Sequence, residues 1–368
     1  SVPFKPMSKK PLQYKQLAKC GYARRSIVTL PHGQVDTPIF MPVGTKGTIK
    51  GLTSEEMEDL HCYILLSNTY HLESKPSSQY IADFGGLHKF MNWKRNILTD
   101  SGGFQMVSLS KLCEVTEEGV RFEHPSTKEM LFLRPEDSIK AQNNIGSDIM
   151  MALDDVVQTT TVGPRMGEAC ERTIRWIDRN ISAHQKQDVQ NLFPIIQGGI
   201  DPKLRERCLS ALVAKDANGY AIGGLSGGEE KERFFDTVLQ SSQGLPENKP
   251  RYLMGVGYPV DILLCSLLGV DMFDCVYPTR TARFGTAFTR YGNLKLANAK
   301  NKFDFTPVEE GCKCETCQTY TKAYLHSVAT REEVAGHLLS KHNIHFNLNL
   351  MRRVQQAISE GNTKALAE

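Results

Sequence analysis

The stretch VDMFDCVYPTRTARFG, Val270–Gly285, decides how this chain is read. A carboxylate, Asp274, closes an apolar run, Pro278 follows, and Arg280 and Arg283 come next. Taken alone, the segment fits either a charged surface turn or a reactive carboxylate beside an anion-binding loop. Its neighbours favour the second. An apolar run without polar alternation suits a strand covered on both faces, and a proline just beyond it suits the first turn of a helix.

The same unit recurs upstream. Apolar runs ending in glycine or polar clusters lie at 38–44, 62–68, 96–103, 147–154, 192–199, 219–228 and 251–257, with 270–276 as the eighth. Helical periodicity separates several of them, at 135–146, 164–186, 201–216, 229–241 and 259–268. Starts such as Arg134-Pro135-Glu136-Asp137 and Asp201-Pro202 carry a first-turn proline and a usable cap. Eight strand-helix units predict an α/β fold, a (β/α)8 TIM barrel, with extra strands near 104–134. A doubly wound open sheet is the rival, but it needs edge strands, and none of these runs reads as one. ARRSIVTLPHGQVDTP, before the first run, is expected to form a hairpin across the bottom of the barrel. The expected divisions are a tail at 1–21, with Ser1–Pro6 an addition ahead of a native Met7, the barrel at 22–306, a metal-binding insertion at 307–343 and a C-terminal helix at 344–368 packing back on the barrel.

Composition narrows the function classes. The 368 residues carry 44 Lys and Arg against 41 Asp and Glu, a net charge of +3 that points to no partner by itself. From Cys275 to Arg353, however, 12 basic residues face 6 acidic ones, a distribution compatible with a polyanion. No signal-type apolar segment opens the chain, and no apolar run is long enough to span a bilayer. Ten cysteines, seven of them scattered through apolar context, fit a reducing compartment.

A barrel places functional residues at the C-terminal ends of its strands. Asp100, Asp154, Gln197, Gly223, Gly224 and Asp274 all fall there. Three such carboxylates could bind Mg²⁺ or divide into nucleophile and acid/base for glycosyl transfer. Gln197 and the Gly224-Leu225 backbone suit the edge of a heterocyclic base, and Phe104 and Met254 suit its faces, which favours glycosyl transfer. The glycines of DSGGFQ, QGG and GGLSGG are read as pocket walls, since none matches a phosphate-binding loop. In GCKCETCQ, Cys312, Cys314 and Cys317 read as ligands of a structural zinc, with His337, His342 and His345 as candidates for the fourth position and His326 a weaker one.

Together DSGGFQM (100–106), QGG (197–199), GGLSGGE (223–229), MGVG (254–257), FDCVYPTRTAR (273–283) and the Cys cluster ending at His342-Asn343 closely resemble the tRNA-guanine transglycosylases, over about residues 22–360. The resemblance implies a TIM barrel that exchanges guanine at the wobble position of a tRNA anticodon loop for a 7-deazaguanine, without ATP. It assigns Asp274 as nucleophile, Asp100 as general acid/base, and Asp154, Gln197, Gly224 and Leu225 to the base edge, between Phe104 and Met254. It places zinc on Cys312, Cys314, Cys317 and His342. Arg280 and Arg283, with Lys46 and Lys50, would then hold RNA phosphates or flanking bases.

Two positions look like the eukaryotic branch. Bacterial members commonly have Cys and Val where this chain has Val156 and Gly227, and Gly227 is expected to leave room for the cyclopentenediol of queuine. Archaeal members carry extra C-terminal RNA-binding domains, which are not expected here. That branch implies queuine insertion at guanine 34 of G-U-N anticodons (tRNAs for Asp, Asn, His and Tyr). It also implies a heterodimer with a non-catalytic relative, homodimerisation of the isolated chain being left open, and a cytoplasmic location that extends to the mitochondrial outer membrane without an integral span. One departure, NTYHLESKPSSQ (68–79) in place of a Gly-Leu-Arg-Pro-Gly stretch, is expected to alter the helix after strand two.

Overall fold

A computed structural model describes residues 11–104, 113–123, 128–329 and 333–366. Its centre is a parallel barrel. The strands, in chain order, are Ile39–Gly44, Ile64–Ser67, Asn96–Thr99, Ile149–Met151, a fifth in two pieces (Asn191–Phe193 and Ile195–Ile196), Tyr220–Ile222, Arg251–Leu253 and Met272–Cys275. Each pairs with its sequence neighbour, and strand eight pairs in parallel with strand one, Asp274 opposite Met41. The break in strand five is Pro194, which has no N–H to give to a ladder. The first piece pairs with strand four and the second with strand six, so the chain itself closes the barrel across the proline. The doubly wound alternative therefore fails: among the described residues the two ends of the sheet are pieces of one strand, joined through Pro194.

The strands are short and almost wholly buried, because side chains fill one face and helices cover the other. Proline occupies the first turn of the helices Pro135–Ile145, Pro164–Ala183, Pro202–Val213 and Pro259–Leu267, where a missing N–H costs nothing. Gly146, at φ 77°, ends the first of these in the left-handed conformation. The altered stretch after strand two breaks its helix into Thr69–Ser74 and Ser78–Phe84.

Several boundaries differ from expectation. Residues 11–21 are not simply a tail. Gln13–Cys20 pairs with Ala23–Leu30, which pairs with Gly33–Thr37, so the expected hairpin is the inner part of a three-stranded antiparallel sheet. Its weak apolar content hid the outer strand, which is mostly exposed. Three short strands, Cys113–Val115, Val120–Glu123 and Met130–Leu133, form a separate antiparallel sheet after strand three.

The insertion after strand eight begins before residue 307. Ala282, Ala287 and Leu296 share one apolar cluster with Val308, Cys314, Cys317 and Leu339, so the hairpin Thr286–Thr289/Gly292–Lys295 packs with it. The C-terminal helix starts at Glu333 rather than 344 and runs to Ser359. Residues 344–358 supply Ile344 and Leu348 to one part of the barrel core and Met351, Val354 and Ile358 to another. It is thus the eighth barrel helix, with the insertion placed between it and its strand. Among the described residues, no helix is long and apolar enough to cross a membrane.

Candidate active site and metal centre

The C-terminal ends of the strands gather buried carboxylates around neutral donors. Asp274, on strand eight, accepts hydrogen bonds on Oδ1 from the Tyr252 hydroxyl at 2.5 Å and the Gly255 amide at 2.8 Å. Burial pushes its carboxyl above the ordinary range, and the two donors oppose that shift. Tyr252 is fully buried, and its hydroxyl is raised first by burial, then by the negative charges of Asp274 and, less strongly, Asp100. It therefore stays a donor at any working pH. Asp100 follows strand three. Its Oδ2 accepts from Asn68 Nδ2 at 2.5 Å, its Oδ1 from the Thr69 amide at 2.8 Å, and its carbonyl from the Thr69 hydroxyl at 2.6 Å.

Asp154 and Gln197 meet between strands four and five, where Gln197 Nε2 donates to Asp154 Oδ2 at 2.6 Å. Burial raises Asp154 to about 7, helped by the neighbouring charge of Asp155. Asp155 is held away from the pocket by Arg165 and by Arg172 Nη1, the latter at 2.5 Å. Gly223 and Gly224 are required by close approach: a Cβ on Gly224 would sit 2.2 Å from Gln197 Oε1, and one on Gly223 would sit 2.5 Å from Ile195 Cγ2. Arg205 fixes both loops from behind. Fully buried, it donates to the carbonyls of Ile196 (2.9 Å), Gly199 (2.7 Å) and Gly223 (2.7 Å).

Met254 is half-buried against the barrel core, and Leu225 is half-buried beside the second apolar cluster. Phe104 is 63% exposed, with room to meet a ligand face. Residues 105–106 of the DSGGFQM motif lie outside the described residues. Gly227 is closely approached by Thr159. A Cβ there would come within 2.5 Å of Thr159 Oγ1, whose hydroxyl donates to the Gly224 carbonyl at 3.0 Å. Gly227 makes room for Thr159, and Thr159 steadies the Gly224 turn.

Basic groups flank one side of this pocket. Arg280 and Arg283 lie exposed on the short helix Tyr277–Arg283 after strand eight, and neither makes an ion pair among the described residues. Burial and then the charge of Arg280 lower the Arg283 guanidinium. Lys46 and Lys50 follow strand one, and after burial both help to lower His71, on the helix after strand two. Strand order eight-one-two thus puts these cations along one rim next to Asp274.

The three cysteines group with His342, while His345 also approaches Cys312. Ligand atoms of Cys312, Cys314, Cys317 and His342 lie within 4.8 Å of one another. His342 Nδ1 is 3.4 Å from Cys314 Sγ and 3.3 Å from Cys317 Sγ, while its Nε2 lies 2.7 Å from the Phe288 carbonyl. That carbonyl fixes the proton on Nε2 and turns Nδ1 toward the thiols, the orientation a zinc ligand needs. Three sulfurs and an imidazole fit a closed tetrahedral zinc site. Of the other candidates, His326 bonds the Leu296 carbonyl and His337 the Gly51 carbonyl.

Sequence reasoning missed Asn68, Thr69, Tyr252, Gly255, Arg205 and Asp155. The Asp154-Asp155 pair, the MGVG motif holding Gly255 and the unusual stretch opening at Asn68-Thr69 were visible signals; Tyr252 and Arg205 had none. Tyr252 reads as a strand residue and Arg205 as a surface charge on an amphipathic helix.

Comparison with known proteins bears on this geometry. A family profile described as Queuine tRNA-ribosyltransferase matches residues 19–368. A Caenorhabditis briggsae protein named queuine tRNA-ribosyltransferase catalytic subunit is 54% identical over 354 residues, covering 96% of this chain and 88% of that one. A Schizosaccharomyces pombe protein of the same name is 52% identical over 356 residues, covering 94% and 88%. A Staphylococcus epidermidis queuine tRNA-ribosyltransferase is 49% identical over 350 residues, covering 94% and 92%.

Proposed function

Because the chain belongs to the queuine tRNA-ribosyltransferase family, we propose that it is the catalytic subunit that exchanges guanine 34 of G-U-N anticodons for queuine. It is a tRNA-guanine transglycosylase, a pentosyltransferase, on a TIM barrel. The observation that carries the site assignment is the buried Asp274 at the end of strand eight, whose Oδ1 is bonded only by neutral donors among the described residues.

The chemistry follows from the two carboxylates. Asp274 attacks C1′ of the target ribose as guanine leaves, giving a covalent enzyme–RNA ester, and Asp100 protonates the departing base. Asp100 then takes the N9 proton of the incoming base, which displaces Asp274. Asp154 accepts from the N1–H and amino group of the base, with Gln197 beside it and the Gly224-Leu225 backbone on the same edge. Phe104 and Met254 cover its faces. The anticodon loop is already single-stranded, so turning one nucleotide into the pocket costs little, and Arg280, Arg283, Lys46 and Lys50 hold its phosphates.

Cys312, Cys314, Cys317 and His342 would hold a structural zinc. His342 lies on the eighth barrel helix, so such an ion joins the insertion to the barrel and leaves no open position for catalysis. Cys317→Ser is expected to lower bound zinc and melting temperature, and full zinc occupancy in that variant would contradict the ligand set. The relatives' designation as a catalytic subunit supports a heterodimer with a non-catalytic relative. The family resemblance supports a cytoplasmic location with peripheral attachment at the mitochondrial outer membrane.

Release of labelled guanine from a G-U-N tRNA, measured with queuine or its aminomethyl precursor and with or without partner, tests the substrate assignment. Queuine should drive release and the precursor should not. The reverse preference would contradict the reading.

A further inference from the structure

The two oxygens of Asp274 are not equivalent. Oδ1 accepts from both Tyr252 Oη and the Gly255 amide, whereas Oδ2 accepts no hydrogen bond among the described residues. Tyr252 is held rigidly: it lies on strand seven, is wholly buried, and its backbone neighbours pair with strands six and eight. The donors therefore lie on the oxygen that is not needed for attack.

We propose that Tyr252 is a positioning residue that reserves Oδ2 for the ribose and controls how readily Asp274 leaves it again. This rests on the reading of Asp274 as nucleophile. In the first half-reaction an Oδ2 electron pair forms the C1′–O bond, and the C1′–N9 pair departs with guanine, which receives its proton from Asp100. Oδ1 is then the ester carbonyl. In the second half the incoming base gives its N9 proton to Asp100, its N9 pair forms the new glycosidic bond, and the C1′–O pair returns to the carboxylate. A hydrogen bond from Tyr252 is stronger to that carboxylate than to the ester carbonyl. It therefore favours departure and shortens the life of the ester. The Gly255 amide acts in the same direction and remains when Tyr252 is changed.

The two halves give the idea a signature that simple loss of structure does not share. Tyr252→Phe should slow turnover about tenfold to a hundredfold, the range for one hydrogen bond to a charged group. The fraction of enzyme trapped as covalent RNA adduct at steady state should meanwhile rise. Its kcat should fall more than its tRNA KM changes, and added incoming base should discharge the preformed adduct more slowly. A fluorinated tyrosine at position 252, a stronger donor in an almost unchanged shape, should discharge it faster and lower the trapped fraction. An adduct fraction in Tyr252→Phe equal to or below the parent's would overturn the proposal, as would a fluorinated variant that discharges no faster. Failure of the underlying reading looks different, since the parent enzyme itself would then form no adduct on Asp274.

Discussion

The two ends of the barrel treat buried carboxylates in opposite ways. At the N-terminal end, Asp271 is met by Arg24 through Nε at 2.9 Å and Nη2 at 2.5 Å, and Asp148 by His32 at 2.6 Å and His88 at 3.0 Å. Burial would push Asp148 up, but the two histidines outweigh it and hold the carboxyl below its ordinary range. At the C-terminal end, Asp274 and Asp154 have only neutral donors among the described residues, and burial raises both. The lower end bolts the N-terminal sheet to the barrel. At the upper end Asp155 is paired with Arg165 and Arg172, whereas Asp154 and Asp274 have no cationic partner among the described residues, which leaves those two to act on a substrate. A paired buried carboxylate serves stability and an unpaired one costs stability, a cost retained where chemistry needs the charge.

Substitutions at each end should separate these roles. The largest effect is expected from Asp274→Ala, which should lower guanine exchange by at least about a thousandfold with little loss of melting temperature. Exchange near the parent rate would remove Asp274 from the chemistry. At the other end, Arg24→Ala leaves Asp271 buried without its cation and should destabilise the fold by roughly 3–5 kcal/mol. Exchange measured well below the melting temperature should stay near parental. A stable Arg24→Ala protein would show that the bottom pair is not a bolt.

Asp154→Asn tests the cost of the upper end directly. The folded carboxyl titrates at about 7 against an ordinary 3.8, so the folded chain holds its proton more tightly than the unfolded one. Parental stability from this group is complete below pH 4 and is lost as pH rises to 7. The asparagine variant should therefore gain stability relative to the parent across that window, by up to roughly 4 kcal/mol above pH 7. Guanine binding should show the opposite dependence in the parent, strengthening as Asp154 ionises through pH 7, and should be weak at every pH in the variant. A stability difference that does not change with pH would contradict the burial argument.

The smallest effect is expected at Gly227. An alanine there displaces Thr159 and its bond to the Gly224 carbonyl, costing about 1 kcal/mol of base binding. Because Thr159 steadies a turn shared by every base, guanine and queuine should weaken alike. Selective loss of queuine would instead support Gly227 as space for the larger substituent.

How far the sequence carried each part has a physical cause. The barrel was legible because parallel strands covered on both faces leave continuous apolar runs, and eight of them end in the residues of one pocket. Even Pro194, which divides strand five, left the run recognisable. The outer strand Gln13–Cys20 was not legible, since an exposed edge strand has little apolar signal. Asp100, Asp154, Gln197 and Asp274 stood at strand ends where polar residues are conspicuous. Their partners did not: Tyr252 is hidden within an apolar strand, and Asn68 and Thr69 open the short helix after strand two. The cysteines of the candidate metal centre declared themselves by spacing, but among His337, His342 and His345 it is the buried His342 that joins the cluster, and spacing does not report which helix face is buried.

The central claim is that Asp274 carries the ribose. Its most direct test is to incubate the enzyme with a G-U-N anticodon stem-loop, quench it during exchange, digest the adduct and map the modified residue by mass spectrometry. A ribonucleotide attached at Asp274, absent from the Asp274→Ala protein, is the expected result. Attachment at Asp100, or full exchange with no adduct at either residue, would contradict it.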